Sequence, residues 1–288
     1  MGKVQTTPVA TSDKWSAALQ KDGLRGDYAH MRPDCTVDQD WGAYGADQHA
    51  LYAKLHERQT RLLQQYACAE FVDGVAHLGP SHQIPRLDEV STKLRRATTW
   101  ELVGVPGLIP DAIFFGHLAH RRFPVTVWLR KPEEFDYIVE PDVFHDFFGH
   151  VPLLFNPFFA DYMQAYGQGG LKALGLDALP MLARLYWYTV EFGLIATPRG
   201  LSAYGSGIMS SGGELVYCID NRKPRREAFD LETVMRTEYR IDTYQDVYFV
   251  IDSFEDLATQ TAVDFTPIDQ RVRELPVRHP APAAPEAP

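Results

Sequence analysis

Two histidines, His145 and His150, stand five positions apart in the run Pro141-Asp-Val-Phe-His-Asp-Phe-Phe-Gly-His150, where most of the neighbours are aromatic or aliphatic. Imidazoles set among phenylalanines need partners for their ring nitrogens, and a metal ion satisfies both rings at once. A third ligand has to come from elsewhere in the chain. Glu191, in Tyr186-Trp-Tyr-Thr-Val-Glu-Phe-Gly193, is the outstanding candidate, an ionisable group in a segment too apolar to leave it unpaired. Two histidines and one carboxylate make a facial triad, which leaves three positions of an octahedral Fe(II) open to dioxygen and a second molecule. A buried histidine–carboxylate cluster also serves as plain hydrogen-bonded structure, so spacing alone leaves both readings standing. His82, His117 and His120 lie in polar or mixed contexts that suit surface or capping roles.

The spacing constrains the element that carries the pair. Pro141 and Asp142 suit the first turn of a helix, so a helix is predicted to present His145. At ~100° per residue a five-residue step ends about 140° away, and an undistorted helix cannot put both imidazoles on one face. In the zinc-protease pattern HExxH a four-residue step aligns the ligands, which sets the present spacing apart from it. Gly149 and Pro152 therefore predict that the helix gives way near Gly149.

Further helices are predicted around this segment. Leu51, Leu55, Leu62 and Tyr66 recur at helical spacing across Ala46–Phe71, between charged positions, and mark an amphipathic surface helix. Asp111–Arg121 and Pro180–Leu194 are also predicted helical, the second apolar nearly all round and therefore buried. Short strands are expected at Pro124–Leu129 and Val247–Ile251, with Gly205, Gly207, Gly212 and Gly213 marking a tight loop. The fold class is mainly α with a small β-sheet. Residues 1–14 and the Pro/Ala-rich residues 271–288 read as flexible tails on a single domain over 15–270.

Composition narrows the partners. A net charge of −10 and a pI near 5.4 repel phosphate backbones and anionic lipid, and the basic run Arg222-Lys223-Pro224-Arg225-Arg226 is too short to offset them, so no nucleic acid is expected. Three cysteines, Cys35, Cys68 and Cys218, without a CxxC pair suggest neither a disulfide framework nor a thiolate zinc site, and fit a reducing cytoplasm. The first residues lack the apolar core of a signal peptide and no long apolar stretch appears, so no membrane partner is expected.

The string from Pro141 through His150 to Val151-Pro152 closely resembles the signature of the pterin-dependent aromatic amino acid hydroxylases. The similarity continues through Tyr186–Gly193, Ala203-Tyr-Gly-Ser-Gly-Ile-Met-Ser-Ser211, Gly213-Glu-Leu-Val-Tyr-Cys218 and Tyr248-Phe-Val-Ile-Asp-Ser-Phe254, spanning about 100–255. Length and motifs together are similar to the short bacterial phenylalanine 4-monooxygenases, a bare catalytic domain without the regulatory module and tetramerisation helix of the animal enzymes. The resemblance thus implies a monomer.

It also implies roles. His145, His150 and Glu191 would bind Fe(II). Phe114 would stack on a tetrahydropterin such as tetrahydrobiopterin, Gly107, Leu108 and Asp111 would meet the pterin edge, and Asp146 would lie close to it. Arg130 would hold the carboxylate of the amino-acid substrate with its planar fork, and Trp187 and Ser210 would line the amino-acid pocket. The implied reaction takes two electrons from the tetrahydropterin and splits dioxygen, one oxygen entering the aromatic ring and the other leaving on the pterin. Plainer counterparts exist: a surface ion pair of Arg130 with Glu133 or Glu134, and packing roles for Phe114, Trp187 and Ser210.

Two positions bear on the substrate. Ile138 stands where animal members carry a threonine near the substrate backbone, so that polar contact is missing or supplied otherwise. Ile241 aligns with a position that is aspartate in tyrosine hydroxylases and aliphatic in phenylalanine hydroxylases, which favours phenylalanine over tyrosine or tryptophan. From the residues alone, a metal-dependent hydrolase with a metal-bound water and a binding protein without turnover are the rival readings.

Overall fold

The computed structural model describes residues 24–136, 138, 140–241, 243–262 and 264–280; the expected tail at 1–14 and the last residues, 281–288, lie outside them. The amphipathic run at 46–71 forms two helices, α1 (Ala46–Tyr66) and α2 (Ala69–Val75), in place of the single one expected. Ala67 turns extended, and the Cys68 N–H donates to the Ala203 carbonyl at 3.0 Å; this bridge to a distant strand interrupts the helical ladder. Helix α3 (Leu87–Ala97) leads into β1 (Glu101–Val105), α4 (Asp111–Ala119) and β2 (Arg122–Thr126), with β1 and β2 parallel and α4 as the crossover between them. The strand expected at 124–129 is shifted to 122–126, because its pairing with β1 runs from Arg122 opposite Glu101 to Thr126 opposite Val105.

The segment with the histidines begins at Val143, two residues later than expected, with Asp142 outside it as the cap. Residues His145–His150 form π-type turns and Val151–Phe155 a 3₁₀ segment, followed by α5 (Pro157–Leu174), whose first turn is capped by the Asn156 side chain accepting from Phe159 N–H. The second apolar run divides likewise, into α6 (Leu179–Tyr186) and a π segment, Trp187–Glu191. Strands β3 (Leu194–Thr197) and β4 (Gly200–Ala203) form a hairpin. The glycine-marked stretch expected as a loop instead holds two short helices, α7 (Ser206–Ser210) and α8 (Gly212–Asp220). Gly205 is required there for close approach: a Cβ on it would sit 2.3 Å from the Glu191 carbonyl oxygen.

The chain continues as β5 (Arg225–Ala228), α9 (Leu231–Arg236), β6 (Val247–Ile251), α10 (Phe254–Thr261) and α11 (Thr266–Glu274). Among the described residues the strands form two sheets where one was expected: the β1–β2 pair and a four-stranded sheet in the order β4-β3-β6-β5. Helix α11 runs past the expected tail boundary at 270, and Arg278 bridges Thr237, so packed structure extends beyond it. No helix among the described residues is long and apolar enough to cross a membrane. The basic run at 222–226 is used locally, Arg226 donating to the carbonyls of Cys218, Ile219 and Asn221 at the end of α8.

Phe144, Phe147 and Phe148 are fully buried, with Phe144 stacked on Phe148 at 5.0 Å and 13°. Burying each such side chain contributes about 1.5–3 kcal/mol, so these phenylalanines fix the face of the turn opposite the histidines. The whole domain serves to clamp two irregular helical turns side by side.

Candidate metal centre and active site

All three candidate ligands lie on π-type turns, His145 and His150 on one and Glu191 on the other. The widening is direct in the second turn, where Phe192 N–H donates to the Trp187 carbonyl five residues earlier at 2.8 Å. A π-turn rotates about 80° per residue, so a five-residue step passes a full turn by only about 40°, where an α-helix passes it by about 140°. The distortion predicted near Gly149 thus occupies the whole span from His145 to His150.

The donor atoms converge. His145 Nε2 and His150 Nε2 are 3.3 Å apart, with Glu191 Oε1 3.2 Å from His150 Nε2 and Glu191 Oε2 3.7 Å from His145 Nε2. Cis ligands at right angles around a metal, with bonds of ~2.1 Å, stand about 3 Å apart, which matches this face of an octahedron. Among the described residues, these three form a group able to hold a metal ion.

Protonation favours the same conclusion. His145 Nδ1 lies 2.8 Å from Ser210 Oγ, whose own proton has the Gly207 carbonyl within reach at 3.4 Å; with the proton placed there, Nδ1–H is the donor. That direction leaves the Nε2 lone pair facing His150 and Glu191. Burial lowers the pKa of His145 and so disfavours its cationic form. Burial would raise the Glu191 carboxyl, but the His150 and His145 rings outweigh it, with hydrogen bonds from His150 and Ser206, and hold it at about 2. The Ser206 hydroxyl reaches Glu191 Oε2 at 2.8 Å. That lowering of the Glu191 pKa requires positive charge between the donors: ring protons supply it when the histidines are protonated, and a divalent cation supplies it with both imidazole lone pairs and the carboxylate directed at it, so the residues fit a divalent metal.

Asp146 accepts from Thr126 N–H at 2.7 Å, tying the first π-turn to β2, while burial raises its pKa. Arg130 pairs with neither Glu133 nor Glu134. Its Nε and Nη2 donate to the two carboxylate oxygens of Asp142, both at 2.8 Å, and the pair is buried. Asp142 Oδ1 also accepts from His145 N–H at 3.0 Å, so one carboxylate joins the arginine to the first ligand.

Gly107 and Leu108 lie in the loop from β1 to α4, and Asp111 opens α4, where burial raises its pKa. Gly107 has φ +147°, and a Cβ there would meet Glu140 Oε1 and Tyr28 Oη at 2.7 Å. The half-buried ring of Phe114 meets Tyr186 edge-on at 6.0 Å, and Tyr186 lies 6.2 Å from the His150 ring, so an aromatic wall runs from α4 to the metal ligands. Trp187 is buried, stacked on Tyr239 at 4.3 Å, with Nε1–H donating to Gln245 Oε1 at 3.0 Å. Ile241 packs half-buried against the core, and Ile138 is half-buried. Ser210 stands behind His145, a placement its sequence context did not reveal. Asp142, Ser206 and Gln245 were not singled out as site residues; of these only Asp142 carried a signal, an aspartate three residues before a helical position. His117 Nε2 bonds the Asp34 carbonyl and His120 Nδ1 the Gly116 carbonyl, as structural histidines.

Known proteins with these features agree. The family model of the biopterin-dependent aromatic amino acid hydroxylases matches residues 39–275. The phenylalanine-4-hydroxylase of Ralstonia nicotianae is 57% identical over 247 residues, 85% of this chain and 79% of the relative. That of Chromobacterium violaceum is 56% identical over 241 residues, 83% of this chain and 81% of the relative. A crystal structure of phenylalanine hydroxylase from Chromobacterium violaceum bound to cobalt matches with a TM-score of 0.86 and 53% identity, covering 89% of this chain and 93% of that one. The convergent His145, His150 and Glu191 and the match along most of the chain lead to one assignment: this chain belongs to the biopterin-dependent aromatic amino acid hydroxylase family.

Proposed function

We propose that the chain hydroxylates L-phenylalanine to L-tyrosine with a tetrahydropterin and dioxygen, at Fe(II) held by His145, His150 and Glu191. The observation that carries this reading is the convergence of three lone-pair donors on one face, in a chain whose relatives at 56–57% identity are phenylalanine-4-hydroxylases. Bound there, iron and tetrahydropterin together supply the activation of dioxygen, one atom ending on the substrate ring and the other on the pterin. The chain's own residues bind, aim and exclude water. Ser210 keeps the His145 lone pair directed inward, and Ser206 orients the Glu191 carboxylate. Arg130 gives Nε and Nη2 to Asp142, so a substrate carboxylate would be met by Nη1. Phe114 offers a flat face to the pterin, with Gly107, Leu108 and Asp111 beside it and Asp146 near its edge. Trp187 and Ile241 would enclose the substrate ring, and an aliphatic Ile241 gives no partner to a phenolic hydroxyl.

A cytoplasmic, monomeric catalytic domain completes the proposal; the three cysteines, all buried and free, are consistent with a reducing compartment, and sedimentation tests the monomer. The deciding experiment is anaerobic Fe(II) titration followed by an assay for tetrahydropterin-dependent tyrosine formation. A hydrolase needs no reductant and a binding protein forms no product. Glu191→Ala is expected to lose iron retention or the coupling of oxygen use to product; wild-type coupling in that variant would refute its role as ligand.

A further inference from the structure

The segment from Arg240 to Gln245 carries Ile241 and reaches the metal-bearing turns through one buried side chain, Gln245. Its Oε1 accepts from Trp187 Nε1–H at 3.0 Å, and its Nε2 donates to the Arg240 carbonyl at 2.9 Å and the Thr243 carbonyl at 3.3 Å. The orientation of this amide has one solution, because the indole can only donate and the carbonyls can only accept. Its backbone N–H donates to Glu214 Oε1 at 3.2 Å, and Tyr248 Oη donates to the same oxygen at 2.7 Å. Gln245 therefore ties its own segment into a closed turn and fastens that turn both to α8, through Glu214, and to Trp187, which begins the π segment ending at Glu191.

We infer that Gln245 is a positioning residue for the amino-acid substrate, holding Ile241 and Trp187 at a fixed separation on the wall that encloses the substrate ring. The inference rests on the reading of Ile241 and Trp187 as walls of the ring pocket. Packing alone does not account for the arrangement. A buried glutamine used only as filler needs its polar atoms satisfied by any partners, whereas here the amide oxygen is spent on the indole of one proposed wall and the amide hydrogens on the carbonyls that flank the other. Without the clasp the indole keeps its stack on Tyr239 but loses its hydrogen-bonded tie to the turn that carries Ile241, and the width of the pocket becomes more variable.

The test uses the iron-loaded full chain with three variants. Gln245→Met keeps length and removes every side-chain hydrogen bond; Gln245→Glu keeps an acceptor for Trp187 but has no N–H for Arg240 and Thr243; Trp187→Phe retains a ring and removes only the indole donor. In Gln245→Met the KM for L-phenylalanine is expected to rise about tenfold, the loss corresponding to one or two buried hydrogen bonds. The KM for tetrahydropterin and the affinity for Fe(II) are expected to stay within about twofold. The preference for phenylalanine over tryptophan, read as a ratio of kcat/KM, is expected to fall in Gln245→Met and Gln245→Glu. Adding Trp187→Phe to Gln245→Met should cost little more than the worse single variant, because both cut the same bond. An unchanged phenylalanine KM in a folded variant overturns the inference, and so does a parallel rise in the phenylalanine and pterin KM values. Should Gln245→Met fail to fold, Gln245→Glu and Trp187→Phe carry the same comparison. A wild-type chain that forms no hydroxylated product from any aromatic amino acid overturns the functional reading instead, and is distinguishable because it is measured before any variant.

Discussion

Arg130 and Asp142 meet through a two-pronged ion pair, Nε to Oδ2 and Nη2 to Oδ1, both at 2.8 Å, with side chains only 3% and 0% exposed. Burial would raise the Asp142 carboxyl, but Arg130 outweighs it and holds the pKa below its usual range. Because Asp142 also accepts from the N–H groups of Arg130 and His145, the proposed substrate anchor and a candidate metal ligand share one support.

Removing that support should therefore damage two functions at once. Asp142→Ala leaves a buried guanidinium unpaired and is expected to cost about 3–5 kcal/mol of stability. It should also raise the KM for phenylalanine and weaken Fe(II) binding. Denaturant unfolding and metal titration check this; a loss below about 1 kcal/mol with normal metal affinity would show that the pair is dispensable.

Ser210→Ala removes the acceptor that fixes the His145 tautomer. Metal affinity is expected to fall by about 10–100-fold, with Ser210→Thr restoring most of it. Titration with Co(II), read by absorbance, measures the effect without turnover. Equal affinity in Ser210→Ala would mean that the ring is oriented by packing alone.

Gly107 occupies a backbone region that side chains rarely adopt, with φ +147°. Gly107→Ala is expected to cost on the order of 1–3 kcal/mol and to raise the KM for tetrahydropterin while leaving that for phenylalanine nearly unchanged. Steady-state kinetics with each substrate varied in turn decides it; a rise confined to phenylalanine would remove the loop from the pterin site.

Burial pushes the Glu214 carboxyl up to about 7, against hydrogen bonds from Tyr248 and Gln245 that favour its charged form. Between pH ~4.5, where the unfolded chain releases this proton, and pH ~7, the folded chain binds more protons, so stability falls as pH rises. The contribution is present below about pH 4.5 and lost as pH passes through 7, on the order of 3 kcal/mol in all. Urea unfolding at pH 5 and pH 8 should show Glu214→Gln gaining on the wild type at the higher pH. A constant difference between the two proteins would mean that Glu214 titrates normally.

Much of the site was legible in the chain. The ligand types, the apolar setting of Glu191 and the awkward five-residue step fitted a metal on a distorted helix as well as a hydrogen-bonded cluster, and the resemblance in the flanking motifs favoured the metal. Boundaries read less well. The helix expected over 46–71 breaks because Cys68 pairs with Ala203, and the glycine-marked stretch holds helices, the second capped by the Ser211 side chain accepting from Glu214 N–H, with Gly205 packed on the turn holding Glu191.

By itself the sequence determined which side chains could ligate a metal, the mainly helical class and the acidic surface, since these follow from residue type and local periodicity. The tertiary structure alone decided that the distortion spans His145 to His150 as π-turns, that Ser210 sits behind His145, and that Gln245 meets Trp187. Those contacts join residues 65 and 58 positions apart. No local rule specifies them, because a side-chain hydrogen bond forms only where packing of distant elements brings donor and acceptor within about 3 Å.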